Sequence, residues 1–143
     1  MVRISVPYGK GKMHFEVPEG NLITILRQKP VGVSRDQTGV VKKALANPIG
    51  DNLDGMVKPG DKVAIAVTDM TRPCPDDRLV PVLLGRLNSA GVRDRNITVV
   101  VGTGLHRPSS VEELYAKLGE AVFHRVQVLN HDATDRKKLK HLG

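Results

Sequence analysis

The stretch VAIAV at positions 63–67, followed directly by Thr68 and Asp69, decides the predicted fold of this chain. Two further apolar runs, ITVVV at 97–101 and VQVL at 126–129, follow it. Short continuous apolar runs of this kind are typical of strands that are buried on both faces of a parallel sheet.

Helical patterns separate the three predicted strands. Within residues 76–90 the apolar residues share one side of a helix, Gly91 stands where a C-cap glycine belongs, and Pro81 predicts a kink or a late start. A second helix opens at Ser110, with Glu113 three residues on as a capping box. The order βαβαβ predicts an α/β fold, in which helices flank a Rossmann-like, mostly parallel sheet with right-handed crossovers.

Further elements are predicted before and after this βαβαβ unit in the sequence. Alternating residues predict an N-terminal β-hairpin, and a one-sided apolar pattern predicts a further helix. The chain is predicted to form a single domain over 1–143. It begins with a hairpin at about 1–18, whose turn is at 9–12, and continues with a weakly structured loop at 19–37. The α/β region spans about 37–129 and starts with a helix at 37–46, and a connecting tail follows at 130–143.

Composition narrows the function classes. Hydrophobic residues make up 40% of the chain and charged residues 26%, as in soluble globular proteins. The net charge of +7 suggests nucleic-acid binding as one hypothesis. The basic cluster at 136–140 has no interleaved aromatic residues that could stack on bases, which argues against this hypothesis. A solvated surface that favours anionic substrates explains the charge as well.

Membrane and redox signals point to a cytoplasmic location. No segment has the roughly 18 consecutive apolar residues of a membrane span, and the N-terminus turns polar too early for a signal peptide. Cys74 is the single cysteine, which excludes an internal disulfide and fits a reducing compartment.

Two loops rich in chemical groups follow the first two predicted strands, at 68–75 and 102–109. Ligands of open α/β sheets bind beyond the carboxyl ends of the strands, and consecutive strands are usually neighbours. We therefore expect the two loops to lie side by side at one edge of the sheet.

The loop residues allow both a chemical and a structural interpretation. Arg72 or Arg107 could bind a substrate carboxylate, His106 could exchange a proton near neutral pH, and Asp69 could orient an imidazole or a hydroxyl. Alternatively, Asp69 caps a turn, the two arginines fix loop carbonyls, and His106 is structural. Cys74 has no base indicated beside it, so it is not a candidate nucleophile. His124, His131 and His141 lack metal-ligand spacing and are interpreted as surface residues.

A partial dinucleotide fingerprint also lies in the second loop. Residues 102–107 begin like G-x-G-x-x-G, but Arg107 replaces the third glycine and Pro108 follows. Because that glycine normally allows close helix–strand packing, the sequence argues against a dinucleotide site of the usual kind.

Taken as whole strings, the loops resemble the signature loops of the lactate racemase family. The matching strings are TDMTRP at 68–73, TGLHRPS at 103–109, ALANPIG at 44–50 and PVLLGRL at 81–87, in the family's order between roughly residues 2 and 132. Several matched strings at consistent spacing are far more specific than any one of them. One departure is Met70, where the family often has histidine.

The resemblance implies a 2-hydroxyacid racemase, an isomerase that acts on lactate or a similar substrate. It implies hydride transfer to a nickel-pincer nucleotide cofactor, in which a pyridinium mononucleotide holds nickel through thioamide and thiocarboxylate sulfurs and a carbon. On this basis His106 is an acid–base residue, Arg72 binds the substrate carboxylate and Asp69 orients neighbouring polar groups. Thr71, Thr103 and Arg107 are possible supporting residues.

The same resemblance implies that 143 residues contain only the N-terminal part of the enzyme. The second acid–base histidine, the lysine that attaches the cofactor and the nickel-ligating histidine have no matching positions, so we expect no metal ligand here and an inactive isolated chain. The alternatives are a stand-alone module that binds a small carboxylate or phosphate, or one subunit of a split enzyme. An incomplete sheet also predicts self-association.

Overall fold

The computed structural model describes residues 1–141, which form two compact units. The first unit is Met1–Val33, and the second extends from Ser34 onward. None of the helices in the described residues has the length and apolar composition that would let it cross a membrane.

The first unit contains the predicted hairpin. Strands β1 (Val2–Tyr8) and β2 (Gly11–Val17) pair antiparallel, with Tyr8 opposite Gly11. The turn is therefore Gly9-Lys10 alone, shorter than the predicted 9–12, because a two-residue loop suffices when Gly9 adopts a φ of 55°. A 3-10 turn, Glu19–Asn21, follows, and residues 22–33 contain no helix or strand, as expected.

The second unit alternates helices and strands. Their bounds are α1 (Gln37–Ala46), α2 (Leu53–Met56), β3 (Val63–Thr68), α3 (Asp76–Ser89), β4 (Ile97–Gly102), α4 (Val111–Leu118), α5 (Glu120–Arg125) and β5 (Gln127–Asn130). The sequence analysis predicted all of these except the short helices α2 and α5, whose few residues give no readable periodicity.

The strands of the second unit form a parallel sheet in the order β3-β4-β5. Thr68 pairs with Gly102, so β3 and β4 end at the same level. The predicted α/β class, the parallel sheet and the neighbouring positions of the two site loops are thereby confirmed.

One face of this sheet forms the core with the helices. The alternate residues Ile65, Val67, Val99 and Val101 are buried, and they belong to one cluster with the inner faces of α3, α4 and α5. The fully enclosed side chains include Leu84 from α3 and Leu118 from α4.

The opposite face of the sheet contradicts the expectation of burial on both sides. Ala64 and Ala66 are exposed, Val100 is half-buried and Leu129 is 46% exposed. The core helices α3, α4 and α5 pack against the face that carries Ile65 and Val99. Small residues such as Ala64 contribute to an apolar sequence pattern whether or not another element covers them. An apolar run alone does not distinguish the two cases.

Helix ends follow the sequence signals. Helix α3 closes in a Schellman motif, because Val92 donates to the carbonyl of Leu87 and Gly91 to that of Asn88, with Gly91 at a φ of 91°. A Cβ at Gly91 would also lie 2.7 Å from Cγ of Pro59. Glycine is therefore required both by the backbone conformation and by this close approach. The late start suggested by Pro81 is wrong, since α3 begins at Asp76 and contains the proline.

Candidate active site

An aspartate–histidine pair links the two loops at the carboxyl edge of the sheet. Asp69 follows β3, His106 follows β4, and Nδ1 of His106 contacts Oδ2 of Asp69 in a short hydrogen bond. The sequence placed the loops side by side, and the structure brings these two side chains into direct contact.

Asp69 is held as an ionised acceptor. Its side chain is only 7% exposed, and Oδ1 accepts hydrogen bonds from the Thr71 hydroxyl at 2.7 Å and the Thr71 amide at 3.1 Å. The Thr71 hydroxyl and His106 together lower the pKa of Asp69 from 3.8 to about 2, against the opposing effect of burial. The carboxylate therefore carries its charge throughout the physiological pH range.

The charge of Asp69 determines the tautomer of His106. An ionised carboxylate only accepts hydrogen bonds, so Nδ1 of His106 must carry the hydrogen. In neutral His106 the lone pair is then on Nε2, and the ring is half exposed, with 51% of its side-chain surface accessible. This arrangement, a buried acid that orients an accessible imidazole, suits general acid–base catalysis.

Thr103 fixes the second loop to the residue that directly follows β5. Its side chain is buried and donates to the backbone carbonyl of His131 at 2.5 Å, while its own carbonyl accepts from the His106 amide at 3.0 Å. Gly104, with a φ of 57°, completes the tight turn between them. Thr103 therefore supports His106 through the backbone.

A cavity of about 280 Å³ opens beside His106. It is lined by Thr103, Gly104, Leu105, His106, Pro108, Asn130, His131, Asp132, Ala133 and Thr134. His131 is thus a neighbour of the candidate site that sequence analysis treated only as surface, because nothing in its spacing connects it with His106. The volume accommodates a small organic acid.

Arg72 is exposed on the first loop. Its amide donates to the carbonyl of Asp69 at 3.2 Å, which fixes the backbone beside the aspartate. Within residues 1–141 no carboxylate forms a salt bridge with its guanidinium, so the group is available to an anionic ligand.

Arg107 is instead committed to the second loop itself. Its guanidinium forms paired hydrogen bonds of 2.5 and 2.8 Å with the Glu113 carboxylate and a further bond of 3.0 Å with the Pro108 carbonyl. The pair raises the pKa of Arg107 and lowers that of Glu113 to about 2. These contacts favour the loop-fixing interpretation of Arg107.

A charged pair lies beneath the first loop. Lys117 of α4 and Asp76 of α3 are both buried, with Nζ and Oδ2 separated by 2.8 Å. The Asp76 carboxylate, together with burial, raises the pKa of the Cys74 thiol, which argues against a thiolate nucleophile. Sequence analysis missed this pair; the one available signal was a lysine on the apolar side of α4 with Leu114.

The part of the chain that the structure describes offers no donor set for a metal centre. Among residues 1–141 no three His, Cys, Asp or Glu side chains are placed to hold a metal ion. His106 offers a single open nitrogen, since Asp69 occupies the other. The loops are thus equipped to bind an anion and move a proton, and they supply no ligand set for nickel.

The sequence of this chain matches a known protein family and several of its members. The family described as the lactate racemase N-terminal domain matches residues 8–143. Similar proteins include the lactate racemases of Thermoanaerobacterium thermosaccharolyticum, 32% identical over 146 residues, and of Lactiplantibacillus plantarum, 34% identical over 148 residues. All of this chain aligns with each, but it spans only 34% of their length.

A solved structure agrees with the sequence comparison. The structure of the lactate racemase apoprotein from T. thermosaccharolyticum superimposes with a TM-score of 0.77 at 32% identity, covering 99% of this chain and 33% of that one. The chain therefore belongs to the lactate racemase N-terminal domain family.

Proposed function

We propose that this chain is the N-terminal part of an enzyme that racemises a 2-hydroxyacid such as lactate. The observation that carries the proposal is the Asp69–His106 pair, which presents an oriented imidazole at the ligand-binding edge of an α/β sheet. Membership of a family named for lactate racemase supplies the reaction.

His106 acts as the acid–base residue in this proposal. Its Nε2 accepts the proton of the substrate hydroxyl, and the Asp69 carboxylate stabilises the imidazolium that forms. His106 serves one half-reaction, and the second acid–base histidine, expected outside this chain, serves the half-reaction of the other enantiomer. Asp69 need not change protonation, because its pKa is lowered to about 2.

Arg72 provides the substrate's carboxylate site. Its exposed guanidinium makes no salt bridge within the described residues, and a planar guanidinium binds a carboxylate through two parallel hydrogen bonds. Thr71, Thr103 and Arg107 support the site by holding the loops, as their contacts with Asp69, His131 and Glu113 suggest.

Residues outside this chain complete the enzyme. The nickel-pincer nucleotide expected from the family resemblance would supply the hydride acceptor, and we propose that the remainder of the whole protein holds it. The isolated chain is then inactive, and the cytoplasmic location inferred from its single cysteine remains a prediction.

The test is His106→Gln in the whole enzyme. Loss of the acid–base group should lower kcat by about 10²- to 10⁴-fold, measured as conversion of one lactate enantiomer into the other by chiral chromatography. His124→Gln is the matched control, because His124 lies on α5 and contacts Tyr115 rather than the loops. Activity of the His106 variant within a few-fold of the parent would refute the assignment.

A second candidate function is supported by the exposed Arg72 guanidinium and the cavity beside His106. The isolated chain would bind a small carboxylate or phosphate without catalysis. Calorimetry of the isolated chain with lactate and with inorganic phosphate tests this function, and Arg72→Ala should abolish any heat of binding. Identical heats from the parent and the variant would exclude it.

A further inference from the structure

Lys117 is a buried lysine that the proposed mechanism does not use. Its side chain is 3% exposed, on the inner face of α4 beside Leu114 and Leu118. Lysine is almost never fully buried unless it is paired. We therefore expect the Lys117 ammonium to pair with another group, and that contact must stabilise either the fold or the candidate site.

The contacts of Lys117 lead from α4 to the first site loop. Nζ lies 2.8 Å from Oδ2 of Asp76, the first residue of α3, and donates to the backbone carbonyl of Arg72 at 3.4 Å. The Asp76 carboxylate also acts on the Cys74 thiol of the first site loop, whose pKa it raises together with burial. One ammonium thus joins a helix, the start of a second helix and the loop that carries Arg72.

The Arg72 carbonyl is a fixed point of that loop. It accepts from the Cys74 amide at 2.8 Å as well as from Lys117, while the Arg72 amide donates to Asp69 at 3.2 Å. The backbone on both sides of Arg72 is therefore held, while its exposed guanidinium forms no salt bridge within residues 1–141.

We propose that Lys117 is a positioning residue for Arg72, holding the backbone from which the guanidinium reaches the substrate carboxylate. This inference rests on the proposed function of Arg72. A purely stabilising role explains the pair less well, because replacing a buried ion pair with apolar residues of similar size is often neutral or stabilising.

The test is a double-mutant cycle in the whole enzyme. Lys117→Met keeps most of the side-chain volume and removes the ammonium, and it should raise the KM for lactate about 10- to 100-fold with a much smaller change in kcat. In an Arg72→Ala background the same substitution should change KM little further, since the group that it positions is gone. Lys43→Met, at an exposed position of α1, is the matched control.

Lys117→Met leaves Asp76 buried without its counter-ion, so the double variant Asp76→Asn/Lys117→Met is measured in parallel. This variant is neutral and still lacks the donor to Arg72, so it should show the same rise in KM. Circular dichroism and thermal unfolding report on folding for every variant.

Each outcome decides the proposal. The Lys117–Asp76 pair has only a structural role if Lys117→Met leaves KM unchanged or raises it equally with and without Arg72. The same conclusion holds if both Lys117 variants fail to fold. If Arg72→Ala itself leaves KM unchanged, the proposed function of Arg72 fails. If Arg72→Ala raises KM but Lys117→Met does not, the positioning role alone fails.

Discussion

At the scale of single residues, the site depends on one carboxylate that stays ionised. Asp69 has three donors, namely the amide and hydroxyl of Thr71 and Nδ1 of His106. Hydrogen bonds to the charged form outweigh the opposing effect of partial burial, so the pKa falls to about 2. The acceptor that orients His106 therefore stays charged over the physiological range.

Asp69→Asn should keep the shape of the site and lose its function. An amide can donate to Nδ1, which places the hydrogen on Nε2 and blocks that nitrogen as a base. A comparable exchange in serine proteases costs about 10⁴-fold in kcat. We expect a loss of this order in the racemisation rate of the whole enzyme, with Asp51→Asn, at an exposed loop position, as control. A loss of less than about tenfold would contradict the orienting role.

Thr71→Val should raise the pKa of Asp69. The Thr71 hydroxyl makes the largest contribution to the lowered pKa, so its removal should move the midpoint from about 2 towards 3.8. Carbon-detected NMR of the Asp69 carboxyl across an acid titration measures this directly. An unchanged midpoint would mean that His106 and the backbone suffice.

The sign of the linked stability follows from the same pKa. Because the folded-state value is lowered, ionised Asp69 stabilises the fold above pH 3.8, and this contribution is lost as the pH falls towards 2. In Thr71→Val the loss on acidification should be smaller, which acid unfolding curves would show.

At the scale of secondary-structure elements, one capping box serves both a helix and a loop. Ser110 accepts from the Glu113 amide, and the Glu113 carboxylate accepts from the Ser110 amide at 2.8 Å. The same carboxylate binds Arg107, so the start of α4 and the second site loop share their anchor.

Ser110→Ala should therefore lower the free energy of unfolding by about 1 kcal/mol, the usual contribution of an N-cap side chain. Urea unfolding of the isolated chain measures it, with Ser89→Ala as the matched control. Ser89 is exposed at the end of α3, and its hydroxyl donates to the Gly85 carbonyl of its own helix. Equal effects at the two serines would argue against the capping role.

At the scale of the whole molecule, the sheet of the second unit has an accessible apolar face. Within residues 1–141 it has three strands, and one of its faces leaves Ala64, Ala66 and Leu129 accessible. Uncovered apolar faces and unpaired strand edges promote association.

We expect the isolated chain to form dimers or larger species at micromolar concentration. Leu129→Lys, on the accessible face, should shift sedimentation velocity profiles towards the monomer. Ile49→Lys, in the loop after α1, should not, because that residue is exposed but outside the sheet. A mass of 15.6 kDa for the unmodified chain across this range would contradict the expectation.

Local patterns in the sequence were sufficient for most of the secondary structure and for the position of the two loops that carry the candidate site. The apolar runs predicted β3, β4 and β5, Ser110 and Glu113 predicted the start of α4, and Gly91 predicted the end of α3. These signals depend on residues close together in the chain. The neighbouring positions of the two loops also followed, because consecutive parallel strands end at one edge.

Only the tertiary structure decided which side chains meet. It selected Glu113 as the partner of Arg107, buried Lys117 against Asp76 and left one face of the sheet uncovered. Lys117 and Arg72 are 45 positions apart, and no local pattern specifies their contact. The physical reason is that periodicity determines which side of an element is apolar, whereas the packing of α3 and α4 on the sheet determines what that side touches.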